Sequence, residues 1–237
     1  MTKTAEETTA LAVFGAIPFS EAALAVPGKP SGKYLPRIQH LSTGSCKLVS
    51  EGKAKVGSYA LVDGSNVTDL GKEINVIPLC KLNKGVNTTE GGSFFAPSEE
   101  YNRCVEAVEA SGFDSGCMYG PFYLLFLVDT EQFVELFLTN VSGRNEETNI
   151  DSFLPVNADA AAKHGIEARA PRAATLSSKE VTSKRGKKSY TYNVPVTNEC
   201  TTRLNVQNPP TQEDVISQCN KFVAQADVET ETESRSR

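Results

Sequence analysis

The sequence predicts a mainly β fold: an antiparallel barrel with one helix inserted mid-chain and a second helix near the C-terminus. Three observations predict it. Three pairs of β-prone runs are each joined by a turn signal, one capped amphipathic run interrupts them, and a 3.6-residue apolar stripe follows Pro209-Pro210. The 237 residues, 39% hydrophobic and 22% charged, are enough to bury a sizeable core.

In chain order, residues 1–32 read as an N-terminal arm. It is rich in Ala and Thr and ends in the punctuators Val26-Pro27-Gly28-Lys29-Pro30-Ser31-Gly32. Its apolar stretch Ala10–Phe19 does not read as a signal peptide, because Glu6 and Glu7 stand where a positive region belongs and Pro18 interrupts it. Lys33–Leu41 is a short extended segment. Lys53–Val62 and Glu73–Leu82 form the first strand pair, with Asp63-Gly64 as the turn signal inside a longer loop. Residues 83–96, with three glycines, read as a loop. Ser98 then offers an N-cap to a helix through Ala110. Tyr101, Cys104, Val105 and Val108 make its apolar face, and Gly112 ends it.

The clearest hairpin is Phe122–Val128, the turn Asp129–Gln132, then Phe133–Leu138. An arm that is apolar throughout is expected of a central strand covered on both faces. Phe122, Phe126, Phe133 and Phe137 accordingly read as core. A third hairpin joins Ala174–Thr182 to Ser189–Thr197 through a basic turn, Ser183–Lys188. Val215, Ile216, Cys219, Phe222, Val223 and Ala226 stripe the last helix. Residues 227–237 carry no apolar period and are expected to be a disordered acidic tail, leaving 33–226 as the folded domain. A five-stranded Greek-key barrel of the OB type fits this count, and a sandwich fits nearly as well.

Chemistry is mostly conspicuous by its missing parts. No phosphate-binding glycine loop, paired-histidine metal motif or nucleophile elbow occurs. The two histidines, His40 and His164, and the six scattered cysteines show no paired metal-ligand spacing, so no metal, cofactor or catalytic residue is assigned and the chain is read as non-enzymatic. The thiols read as reduced in a cytoplasmic setting. No window approaches the roughly 18 apolar residues of a membrane span.

Charge distribution is the informative signal. From Lys163 to Lys188 stand eight basic residues opposed only by Glu167 and Glu180, in a chain whose net charge is −5. Concentrated cation on an otherwise acidic chain suits an anionic ligand. Tyr190 and Tyr192 follow at once, two apart, so that a strand would place both rings on one face. Bases can stack on such rings while cations follow the phosphates. The expected nucleic-acid contacts are therefore Lys184, Arg185, Lys187, Lys188, Tyr190 and Tyr192, with Arg169, Arg172 and Lys179 from the same window. Lys33, Tyr34, Arg37, Lys55 and Tyr59 repeat the aromatic-and-basic mixture earlier in the chain.

Four segments, KYLPRIQHLS (33–42), VGSYALVDG (56–64) with DLGKEINVIPL (69–79), SGCMYGPFYLLFLV (115–128) and KKSYTYNVPV (187–196), together resemble phage and prophage-type OB-fold single-stranded-DNA-binding proteins. The resemblance implies a sequence-tolerant accessory of replication or recombination that coats exposed single strands in a bacterial host's cytoplasm. Partner proteins would be recruited through the tail, and self-association is possible within the same picture. One departure is the tail's Ser-Arg-Ser-Arg ending, where acidic-tailed binders finish with acids and an apolar residue. The choice between DNA and RNA stays open. The rival from another class is a non-enzymatic viral structural or assembly protein.

Overall fold

The computed structural model describes residues 35–140, 146–156, 158–185, 188–201, 204 and 206–234. The N-terminal arm expected over residues 1–32 lies outside them. The described strands are β1 (Arg37–His40), β2 (Tyr59–Asp63), β3 (Asn66–Gly71), β4 (Glu73–Asn87), β5 (Gly92–Phe95), β6 (Cys117–Leu127), β7 (Gln132–Phe137), β8 (Ala174–Arg185) and β9 (Lys188–Glu199). The helices are α1 (Lys47–Ser50), α2 (Glu99–Ser111), α3 (Ala158–His164) and α4 (Gln212–Ser234). All nine strands join one sheet in the order β3-β2-β1-β7-β6-β4-β8-β9, with β5 on the free part of β4.

The apolar arm of the central hairpin is β6, and its sequence follows from its place. Tyr123, Leu125 and Leu127 face one core with Ile38, Tyr59, Ile74, Val76, Val134, Leu136 and Leu176. Phe122, Leu124 and Phe126 face a second core with Ile77, Leu79, Phe95 and the α4 residues Val215, Cys219 and Phe222. Both faces are covered, so the arm is apolar apart from the Tyr123 hydroxyl, which reaches Asp151. In β4 the register slips between Pro78 and Cys80, a bulge that turns Leu79 and Cys80 both toward the α4 side. Glu135 of β7 is buried there too. Burial pushes its carboxyl up, against the pull of Gln225, Lys84 and Arg37.

The sheet curls into a half-barrel around the first core. In the ladder β1 and β2 are separated from β8 by β7, β6 and β4. Even so, the Tyr59 hydroxyl donates to the Ser177 carbonyl at 2.9 Å, His40 Nε2 lies 2.9 Å from Ser178 Oγ, and Asn193 N–H donates to the Ser42 carbonyl at 2.7 Å. Such contacts require the sheet to roll until its flanks meet. Gly57 sits at that seam with φ +78°, where a Cβ would stand 2.8 Å from Asn193 Oδ1, so only glycine fits.

A mainly β chain with a capped helix at Glu99–Ser111 and a helix near the end agrees with expectation, while α1 and α3, also set between strands, were not expected. The details differ. The strands number nine among the described residues where three hairpins were expected, and one pairing, β1 with β7, is parallel. The stretch 83–96 is largely strand, because β4 continues to Asn87 and turns into β5. Its polar side chains conceal backbone groups that need β6 and β5 for hydrogen bonds. The loop expected at Asp63–Lys72 contains β3, an edge strand with no buried residue and no alternating pattern to read. Lys53–Ser58, expected as strand, is loop. Helix α2 runs from the Ser98 cap, whose Oγ accepts from Tyr101 N–H at 3.1 Å. Helix α4 continues through Ser234, into residues expected to be disordered. Hydrogen bonds propagating from a packed helix, through residues that include several glutamates, account for the extension.

Candidate nucleic-acid interface

The third hairpin became a long ribbon. Strand pairing runs from Ala174↔Glu199 out to Arg185↔Lys188, leaving only Gly186 and Lys187 to connect the arms. The basic turn expected over Ser183–Lys188 is therefore mostly strand. Only Ala174–Ser177 also pair with β4. Beyond that point the ribbon has no further strand beside it among the described residues.

Register decides which residues share a face. Val194 stands opposite Lys179, Tyr192 opposite Val181 and Tyr190 opposite Ser183, and Arg185 and Lys188 pair in the next step of the same alternation. Along this face exposure rises toward the tip: Val194 is buried, Tyr192 half-buried and Tyr190 49% exposed. The opposite face carries Thr182 and Thr191, bonded through their hydroxyls at 3.3 Å, and exposed Lys184. Sequence reading found the tyrosines but missed Val181 and Ser183, their cross-strand neighbours. Those become visible once the connection is known to be two residues long.

The other expected contacts separate. Tyr59 is corrected: its ring is 0% exposed, against His40 at a centroid distance of 5.0 Å, and its hydroxyl is bound to Ser177. Burial pushes the phenol far up, and no base can reach the ring. A tyrosine two positions after glycine at a strand start looks the same in sequence whether it faces water or core. Lys179 is tied to Glu147 at 2.7 Å, and the Glu147 carbonyl in turn accepts from Thr197 N–H. Arg169 donates to the carbonyls of Leu154 (3.1 Å) and Asp151 (3.3 Å). Arg172 donates to Ser152 O at 2.8 Å and lies over the Phe153 ring. Both arginines thus brace the turn Ile150–Phe153, where Asp151 also pairs with Lys81 and accepts from Tyr123. Arg37 belongs to β1 beside Glu135, and Lys55 lies in the loop that reaches the ribbon base at Gly57. Lys33, Tyr34 and Lys187 lie outside the described residues.

No family model matches the chain, and no curated protein or solved structure matches it. Among the described residues no group of three or more His, Cys, Asp or Glu is placed to hold a metal ion. No helix among them is long and apolar enough to cross a membrane.

The ribbon base carries a pH signature. Burial pulls the His40 imidazole down to about 4 from its ordinary 6.5, so it packs neutral against Tyr59 and Ser178. Between those values the unfolded chain binds a proton that the folded chain refuses. Stability is therefore expected to fall as pH drops from about 6.5 toward 4, at up to about 1.4 kcal/mol per pH unit from this group. Urea unfolding at several pH values should show that slope in the parent protein, and His40→Asn should flatten it. An equal slope in both proteins would assign it elsewhere.

Proposed function

We propose that the chain is a sequence-tolerant, non-catalytic single-stranded DNA-binding protein serving replication or recombination. The observation that carries the reading is the β8–β9 ribbon, which sets Tyr190 and Tyr192 on one face beside a cation-rich tip. Same-face residues two apart on an antiparallel strand are spaced about 6.8 Å. Stacked bases in a duplex rise only about 3.4 Å per step, so rings at twice that spacing suit a strand whose bases are splayed. The acidic remainder of the chain favours a local track over general coating. The OB-type barrel belongs to the same proposal: a rolled core gives rigidity while projecting strands and loops hold the ligand. The four segments that resemble prophage-type single-strand binders point the same way.

The test is a fluorescence anisotropy titration with labelled oligo-dT and with duplex DNA of equal length, repeated across salt. Binding to oligo-dT should be the tighter, with a log–log salt slope of about −0.7 for each phosphate neutralised. Tyr190→Ala should weaken it by about 1–3 kcal/mol, roughly 5- to 150-fold, while the circular dichroism spectrum stays unchanged. Absence of any anisotropy change at low salt would end the proposal.

A further inference from the structure

The six cysteines are scattered in sequence with no close pair, yet the fold gathers four of them into two thiol couples. Cys80 neighbours Cys219, and Cys104 neighbours Cys117. All are reduced. The couples differ in setting. Cys80 and Cys219 are both buried in the core between β4 and α4. Cys104, on α2, is buried, but its partner Cys117 is half-exposed at the first residue of β6. Cys104 Sγ donates to the carbonyl of Met118, the neighbour of Cys117, at 3.4 Å. It also presses on Gly85 of β4, where a Cβ would stand 3.3 Å from both Cys104 Cβ and Sγ. Gly85 thus lets α2 sit low on the sheet, with Cys104 against the β6 end that begins at Cys117.

We propose that Cys104 and Cys117 form a redox site that closes to an intramolecular disulfide when a small-molecule disulfide of the glutathione class reaches it, stapling α2 to the start of β6. Cys117 is the entry point. Its thiol gives its proton to solvent, and the thiolate attacks one sulfur of the small disulfide. That S–S bond breaks, and one small thiolate departs and takes up a proton. Cys104 then loses its proton and attacks Cys117 Sγ, expelling the second small thiolate. Two protein thiols are oxidised and one small disulfide is reduced to two thiols. Burial holds the Cys104 thiol up at about 12, which makes the second step the slow one. The Cys80–Cys219 couple has no exposed member to begin the sequence.

The experiment treats the full chain with oxidised glutathione, quenches with acid, and reads intact mass and a peptide map. The expected product is lighter by about 2 Da, with residues 104 and 117 in one linked peptide. It should unfold roughly 5–10 °C higher than the reduced protein. Cys104→Ser should stop at a stable glutathione adduct on Cys117, and Cys117→Ser should leave Cys104 unreacted. A map linking any other pair overturns the proposal. So does a parent protein in which the Cys117 adduct persists or both thiols remain free for alkylation. The parent map decides the matter even where a serine variant folds poorly.

Discussion

Replacing Lys184, Arg185, Lys187 and Lys188 together with alanine is expected to lower affinity for oligo-dT by roughly 200-fold at 0.15 M salt. The log–log salt slope should become shallower by about 3. The reasoning is electrostatic. Each cation that meets a phosphate releases condensed counterion, worth a slope of about 0.7 per contact on a single strand, and the benefit disappears near 1 M salt. Lys184 is exposed, and the strands that carry Lys184, Arg185 and Lys188 pair only with each other at this end. Unfolding by urea should be nearly unchanged. Equilibrium titrations of both proteins at four or more salt concentrations measure the slope directly. A variant that keeps the parent slope would place the phosphate contacts elsewhere and leave the ribbon without its proposed role.

Phe122→Ala is expected to cost about 3–5 kcal/mol of stability, enough to threaten the folded state of a marginally stable domain. Phe122 is 1% exposed at the junction of three elements. Its ring stacks on Phe222 of α4 at a centroid distance of 4.9 Å and meets Phe95 of β5 at 5.9 Å, with Lys84 Nζ 4.2 Å from its centre. Deleting it removes the transfer energy of a large ring and leaves a void that β6, held on both sides by ladders, cannot close. Phe122→Leu should cost clearly less, because most of the volume remains. Urea denaturation gives both values. A loss below about 1 kcal/mol for the alanine variant would mean that α4 is not anchored here.

The elements legible in sequence were those whose pattern is set by burial. The unbroken apolar run of β6 announced a strand covered on both faces, and Phe122 and Phe126 are in the core as its composition implied. Phe133 and Phe137 are only half-buried, packed against that core. The Ser98 cap and the apolar stripe of α4 were equally plain. What escaped was backbone-driven. β3 and the far half of β4 are held by ladder hydrogen bonds to β2, β5 and β6, and their polar side chains record none of this. The candidate interface was half legible. The tyrosine pair and the cationic tip are local features, visible in one dimension. The fates of Tyr59, Lys179, Arg169 and Arg172 depend on which partner the rolled sheet brings near, and Ser177, Glu147 and the 151–154 carbonyls are their partners only in three dimensions.

Only four residues of β8 are laddered to the rest of the sheet. Adding or deleting matched residue pairs beyond the buried Asn193 and Val194 would change the span of the arm by about 6.8 Å for every two steps. Its reach is thus a quantity that selection or an engineer can adjust independently of how firmly the body holds together. Amide exchange would register the same separation as a steep gradient, slow at Leu176 and fast by Ser183.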